Sequence, residues 1–306
     1  MATSVQGVIT DSTGGITAIT DAPLELGEGV RWIDGALTLV DILAGDLYSL
    51  DPSGAGGLQR RAHLDVPLGA VAPIAGEPGR WIVAAGDGVA LLDTDGALEW
   101  LGRPEERHGG RTRMNDGGCD PQGRFWAGSM AYDGASPIGA LYRVDVDRSV
   151  HQVLDDLIIA NGPSFTADGS MMFLSDSGRA EIRRYRVVDD GTLSDCVVIA
   201  HGESGAAPDG MAVDAAGTLW VAMWGGSQIR RYSPDGEVLA RVMLPASQPS
   251  CVTIVPDGAF VTTATQHLTT PTEHDGLVYS VDLSEIEGGP VAPLPTRSFG
   301  GGVTPS

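Results

Sequence analysis

The segment DPQGRFWAGSM, Asp120–Met130, joins a turn to a short strand, and the arrangement returns as DAAGTLWVAMW at Asp214–Trp224. Two further copies are ADGSMMFLSDS around Asp168 and PDGAFVTTAT from Pro256, whose turn aspartate is Asp257. The matched aspartates recur at intervals of between forty and fifty residues. A repeat of that length, containing only short strands, is typical of a propeller blade.

Two weaker copies precede these four, LTLVDILAGDLYSLD from Leu37 and RWIVAAGDGVALLD from Arg80. Third strands such as ALYRVDV and LVYSVDL alternate apolar and polar residues, as half-exposed strands do. We therefore predict an all-β fold, one six-bladed β-propeller domain over residues 1–306, with four-stranded blades around a central channel. Seven blades are the alternative.

Composition narrows the class of partner. The formal charge of −21 argues against nucleic acid and against anionic membranes, which both bind clustered Lys and Arg. The three cysteines are far apart and odd in number, which argues against a disulfide framework. The opening MATSVQGVIT lacks the features of a signal peptide, and no apolar run reaches the length of a membrane span. We expect a cytoplasmic monomer or weak homo-oligomer with a small-molecule partner.

Four regions expected to be innermost strands carry polar residues beside a glycine. They are LGEGVRW with Glu28, RMNDGGCD with Asn115 and Asp116, ANGPSF with Asn161, and PDGMAVD with Asp209. Burying these groups without partners is costly, and one shared cation would satisfy all four regions. Two carboxylates and two amide oxygens suit Ca²⁺, Mg²⁺ or Mn²⁺, with Zn²⁺ and Fe²⁺ left open. We therefore predict a metal-containing channel.

The alternative interpretation of these regions is that N-D-G, N-G and D-G are simply turn dipeptides. Their occurrence at matching places in four blades favours the cation.

A separate feature is the stretch 102–113, rich in charged and turn-forming residues, which is predicted to be a long surface loop. It is either a lid over the site or a mobile connector. No amphipathic helix of ordinary length is predicted.

Nearly the whole chain resembles the senescence marker protein, gluconolactonase and regucalcin family of six-bladed propeller lactonases. The resemblance is carried by LGEGVRW, VDILAGDLYSLD, RMNDGGCDPQGRFWAGSM, ANGPSFTADGSMMFLSDS, PDGMAVDAAGTLWVAMWGGSQIRRYSPDGEV and SQPSCVTI. It implies a divalent metal held by Glu28, Asn161 and Asp209. Asn115 would complete the site, directly or through a water, and Arg113 would contact substrate oxygens.

Two departures from the family pattern are visible. Val30 stands where a proline usually follows the E-G pair, which affects strand entry more than ligation. The acidic residue that some members place after the G-S-M-A stretch is matched only loosely, by Asp133.

The predicted activity is divalent-metal-dependent hydrolysis of a small sugar-type lactone, an aldonolactone such as glucono-, xylono- or arabinolactone, to the hydroxy acid. Asp209 is the candidate for orienting or deprotonating the attacking water. Arg113 and Asn115 are the candidate substrate-binding residues. One alternative is a phosphotriesterase of the diisopropylfluorophosphatase type, or an aryl-ester hydrolase, on the same metal site. The second is a non-catalytic Ca²⁺-binding propeller.

Overall fold

The turn aspartates Asp120 and Asp214 tie two of the clear repeats to the protein core. Asp120 accepts hydrogen bonds from two backbone amides of its own turn and, at 2.8 Å, from the indole nitrogen of Trp126. Asp214 repeats the arrangement, with two backbone amides and the indole of Trp220 at 3.2 Å. Both indoles are fully buried. In these two repeats one carboxylate closes the turn and also satisfies the polar atom of a core aromatic ring.

The computed structural model describes residues 11–12, 15–256, 258–284, 286 and 291–301. Two expectations fall on residues outside these ranges, namely the character of the opening MATSVQGVIT and the turn aspartate Asp257. The prediction of a single domain over 1–306 extends to such residues as well and stays a prediction.

The strands form six sheets, each built on four antiparallel strands. In chain order, the first two strands are β1 (Asp11–Ser12) and β2 (Ile16–Ala18). Blades 1 to 3 consist of β3 (Gly27–Ile33), β4 (Ala36–Asp41), β5 (Asp46–Leu50), β6 (Gln59–His63); β7 (Leu68–Pro73), β8 (Trp81–Ala85), β9 (Gly88–Leu92), β10 (Leu98–Gly102); β11 (Thr112–Cys119), β12 (Phe125–Ala131), β13 (Gly139–Val144) and β14 (Val150–Leu157). Blades 4 to 6 contain β15 (Ala160–Phe165), β16 (Met171–Asp176), β17 (Glu181–Val187), β18 (Leu193–His201); β19 (Ala207–Val213), β20 (Leu219–Trp224), β21 (Gln228–Tyr232), β22 (Val238–Met243); β23 (Pro249–Val255), β24 (Gly258–Thr263) and β25 (Tyr279–Asp282).

Blade 6 takes its outermost strand from the beginning of the chain, because β2 pairs antiparallel with β25. The short strand β1 adds a parallel fifth strand to the edge of blade 5. The innermost strands β3, β7, β11, β15, β19 and β23 pack against one another in this order, and β23 returns to β3. The predicted six-bladed propeller with four-stranded blades is therefore confirmed.

Helical structure in the described residues is confined to two 3-10 turns, Pro104–His108 and Ser177–Arg179, as expected for a chain without amphipathic helices. The same described part contains no helix with the length and apolarity needed to cross a membrane.

The predicted surface loop 102–113 is only partly correct, because its first turn is anchored in blade 3. Glu105 is fully buried. Its Oε1 accepts hydrogen bonds from Ser129 Oγ, at 2.9 Å, and from the Tyr142 hydroxyl. The hydroxyl donors of blade 3 make burial of this carboxylate tolerable. The segment is therefore a fixed part of the fold around Pro104–His108 and does not have the contacts of a free connector.

Candidate functional site

The polar regions of the innermost strands coincide with β-bulges. In each, the innermost strand has one more residue than its neighbour between two paired positions. The register shifts lie between Glu28 and Arg31, Met114 and Gly117, Asn161 and Ser164, and Pro208 and Met211. Bulges bend a strand and redirect its side chains. The glycines serve this geometry, since Gly29 and Gly162 have φ of 59° and 85°, which other residues adopt rarely.

All five predicted site residues are buried on the innermost strands of four blades. Their exposed fractions are 3% for Glu28 in blade 1, 4% for both Arg113 and Asn115 in blade 3, 3% for Asn161 in blade 4 and 6% for Asp209 in blade 5. Polar groups at this depth need partners.

A chain of hydrogen bonds links blades 3, 4 and 5 at the centre. Arg113 Nη1 donates to Asn115 Oδ1 at 2.6 Å, and Asn115 Nδ2 donates to Asn161 Oδ1 at 2.8 Å. Asn161 Nδ2 donates to Ser177 Oγ at 2.8 Å, whose hydroxyl donates to the Pro208 carbonyl at 2.6 Å. Because each donor and acceptor is assigned by its neighbour, the two amide groups have defined orientations. The structure therefore brings these three predicted residues into one connected group.

The carboxylates of the site repel one another. Burial, and then the charge of Asp116, raises the pKa of Glu28 from 4.5 to about 8. Burial, and then the charge of Glu28, raises the pKa of Asp209 well above its usual range. Like charges raise each other's pKa only when they are close together, so these side chains share one region of the channel.

This set of residues fits a divalent cation. The donors are carboxylate and amide oxygens, which hard cations prefer. The raised pKa values of Glu28 and Asp209 indicate buried negative charge that the protein does not fully compensate, and a cation would supply the missing charge.

Three residues at the centre were not among the predicted site residues, although Asp116 belongs to one of the polar clusters noted in the sequence. They are Arg31, Asp116 and Cys251. One carboxylate oxygen of Glu28, one of Asp116 and Cys251 Sγ lie within 4.8 Å of one another. Cys251 lies on β23, the innermost strand of blade 6. In sequence it lies between Ser250 and Val252 without the neighbouring glycine that marks the other clusters, so only its matching place in the sixth blade could have indicated it.

The loosely matched Asp133 does not belong to the buried group. Its carboxylate accepts hydrogen bonds from Ala135 N at 2.9 Å and Ser136 N at 2.8 Å, which closes an exposed turn. Tyr132, the residue before Asp133, is related to the site through Arg113. Burial lowers the pKa of Arg113 to about 10, and the nearby Tyr132 opposes that shift. Tyr132 is 54% exposed and therefore marks the rim where the site meets solvent.

The opposite end of the channel is covered by the segment 291–301. Thr296 Oγ1 donates to the Trp32 carbonyl at 2.8 Å, and Phe299 N donates to the Pro73 carbonyl at 2.9 Å. Above this segment lies a cavity of about 110 Å³, which Arg31 lines together with Cys119. The segment therefore covers the end of the channel beyond Arg31.

The fold and the site define a six-bladed propeller with a buried oxygen-donor group on its axis. The family model for the SMP-30/gluconolactonase/LRE-like region matches residues 26–265. The chain therefore belongs to that family, and the resemblance drawn from the motifs is confirmed.

Two named relatives and one solved structure support this family membership. The chain is 34% identical over 242 residues to 6-deoxy-6-sulfogluconolactonase of Pseudomonas putida, covering 78% of this chain and 81% of that protein. It is 32% identical over 259 residues to L-arabinolactonase of Azospirillum brasilense, covering 82% and 84%. The crystal structure of a calcium-binding protein, regucalcin, from Agrobacterium tumefaciens aligns with a TM-score of 0.83 at 27% identity, covering 95% of this chain and 99% of that one.

Proposed function

We propose that this protein hydrolyses a small sugar-type lactone to the hydroxy acid and depends on one divalent cation. The observation that carries the proposal is the convergence of buried oxygen donors from four blades on one region of the channel. The relatives named as lactonases support the class of substrate, an aldonolactone such as glucono-, xylono- or arabinolactone.

Glu28, Asn161 and Asp209 are the proposed ligands, and Asn115 completes the set directly or through a water. A divalent cation held there supplies Lewis-acid chemistry, since it polarises a carbonyl group and acidifies water. The candidates are Ca²⁺, Mg²⁺, Mn²⁺, Zn²⁺ and Fe²⁺, all of which accept oxygen ligands. The proposed role of the protein is to keep these oxygens buried and oriented.

Arg113 is the proposed substrate-binding residue. One of its guanidinium nitrogens is occupied by the Met114 carbonyl, at 3.0 Å, and by Asn115 Oδ1, at 2.6 Å. A guanidinium has further N–H donors in the same plane, which suit the oxygens of a lactone and its hydroxyl groups.

Asp209 is the proposed proton acceptor. It is 6% exposed and lies on β19 among the proposed oxygen donors, where its carboxylate would orient or deprotonate the attacking water. Water adds to the lactone carbonyl and Asp209 takes its proton. The bond between the acyl carbon and the ring oxygen then breaks, and the proton passes to that oxygen to give the hydroxy acid.

A substrate comparison tests this proposal. Acid release would be followed with glucono-, xylono-, arabino- and galactonolactone and with diisopropyl fluorophosphate, after subtraction of spontaneous hydrolysis. We expect enzymatic turnover of at least one lactone, faster than that of the phosphotriester, and a raised KM in Arg113→Lys because the planar donor fork is lost. Preference for the phosphotriester, or no turnover of any compound, would contradict the proposal.

A further inference from the structure

Arg31 occupies the centre of the propeller beside the proposed metal ligands. It follows Glu28 across the bulge of β3, and the two-against-one register there lets both side chains face the axis. Its Nη2 donates to Asp116 Oδ1 at 3.3 Å and to the Gly117 carbonyl at 2.9 Å, both in blade 3. Its Nη1 lies 3.4 Å from Cys251 Sγ in blade 6. One guanidinium therefore joins three blades.

Asp116, the partner of Arg31, is fully buried and held by fixed donors. Its Oδ1 also accepts from Gly117 N at 2.7 Å, and its Oδ2 accepts from Gly162 N at 3.0 Å. Gly162 directly follows the proposed ligand Asn161. The Asp116 carboxylate thus receives hydrogen bonds from three N–H groups of the protein. The Glu28 carboxylate differs, because among the described residues it receives a hydrogen bond only from Gly29 N, at 2.7 Å.

The charges of this pair act on the proposed metal site in opposite directions. An oxygen of Asp116 lies within 4.8 Å of an oxygen of Glu28, and Arg31 Nη2 lies 3.3 Å from Asp116 Oδ1, so a negative and a positive charge stand side by side next to that carboxylate. Together, the guanidinium and the carboxylate add no net charge. Either residue alone would leave one unit charge within a few ångströms of the Glu28 carboxylate.

We propose that Arg31 is a positioning residue that sets the cation affinity of the site by cancelling the charge of Asp116, an inference that rests on the proposed metal site. Arg31 thereby reserves Asp116 for holding blades 3 and 4 and leaves Glu28 and Asp209 as the carboxylates open to a cation. In a buried site a unit charge a few ångströms away changes the affinity for a divalent cation by about tenfold or more.

The test is a double-mutant cycle read by calorimetric titration of the chelator-treated protein with Ca²⁺ and with Mn²⁺, in the absence of any lactone. The variants are Arg31→Met, Asp116→Asn and the double variant, with Arg31→Lys as the control that keeps the charge. Thermal unfolding of each variant reports whether it is folded. Because no substrate is present, the result is independent of whether lactones are hydrolysed.

We expect Asp116→Asn to lower the cation affinity by about tenfold or more, because the Arg31 charge is then uncompensated. We expect Arg31→Met to raise the cation affinity and the double variant to return towards wild type, with Arg31→Lys close to wild type throughout.

A purely structural role predicts instead that both single changes weaken binding and that the double variant is no better than the weaker single one. That pattern would overturn the inference, even if Arg31→Met were too unstable to titrate, because Asp116→Asn and the double variant still distinguish the two. Failure of the wild-type protein to bind either cation would overturn this inference and the proposed metal site together, whereas cation binding without lactone turnover would contradict only the proposed reaction.

Discussion

Asn115 Nδ2 donates a 2.8 Å hydrogen bond to Asn161 Oδ1, which joins the innermost strands of blades 3 and 4 on the propeller axis. Asn115 also donates to the Ala160 carbonyl at 2.9 Å and accepts from Arg113 at 2.6 Å. A single buried amide thus holds both the proposed substrate-binding residue and one of the proposed metal ligands.

Two replacements of Asn115 should distinguish its contribution to folding from its contribution to metal binding. Asn115→Ala leaves buried partners unsatisfied, so we expect the free energy of unfolding to fall by roughly 1–3 kcal/mol and the cation affinity to fall with it. Asn115→Asp keeps the acceptor for Arg113 and adds a negative charge, so it should bind the cation while remaining destabilised. Urea unfolding and calorimetry measure the two effects. Wild-type stability and affinity in Asn115→Ala would refute the role given to this amide.

Two aspartates of β19 and its following turn form a matched pair for testing the proton acceptor. Asp209→Asn should lower kcat at saturating metal by about 100-fold or more, since general-base catalysis contributes that much. Asp214→Asn, the same change in a buried turn residue bonded to Trp220 and Arg231, should lower stability but leave kcat little changed. Steady-state kinetics across a series of metal concentrations separates weak binding from slow chemistry. An Asp209→Asn enzyme with the wild-type kcat at saturation would rule out the assignment.

Cation binding should depend on pH. Burial, and then the charge of Asp116, raises the pKa of Glu28 to about 8. The metal-free fold therefore favours the protonated acid, and this contribution to stability is present below about pH 4.5 and is lost as the pH rises towards 8. A cation needs the ionised form, so its affinity should increase between about pH 6 and pH 8 and then level off, with proton release on binding at the lower pH. Titrations in buffers of different ionisation enthalpy measure both quantities, and a pH-independent affinity without proton release would contradict the expectation.

Glu105 provides a test of the anchored turn at Pro104–His108. Glu105→Ala removes the acceptor of two buried hydroxyls, so we expect a loss of roughly 1–3 kcal/mol in the free energy of unfolding. The control is Glu106→Ala, because the adjacent side chain is 70% exposed and such changes cost about 0.5 kcal/mol or less. Denaturant unfolding measures both variants, and equal stabilities would contradict the anchoring.

The blades could be predicted from the sequence because their determinants are local. The bonds from Asp120 to its turn and to Trp126 span at most six residues, and Asp214 repeats them with Trp220, so the pattern is visible as a short local motif. The polar clusters were equally visible, since the bulges that redirect Glu28 and Asn161 need an adjacent glycine.

The remaining features depend on contacts between distant parts of the chain. Arg31 meets Asp116 across 85 residues and Cys251 across 220, and no local pattern indicates such pairs. Glu105 is similar, because its burial depends on Ser129 and Tyr142, hydroxyl donors on strands that come later in the chain.

The most direct test of the central claim is removal and return of the metal. The protein would be stripped with a chelator, its metal content measured, and the hydrolysis of the preferred lactone followed as one divalent cation at a time is added back. We expect the rate to fall to the spontaneous background and to recover at one equivalent of cation per chain in wild type but not in Glu28→Gln. A stripped protein that retains its full rate would contradict metal-dependent hydrolysis at this site.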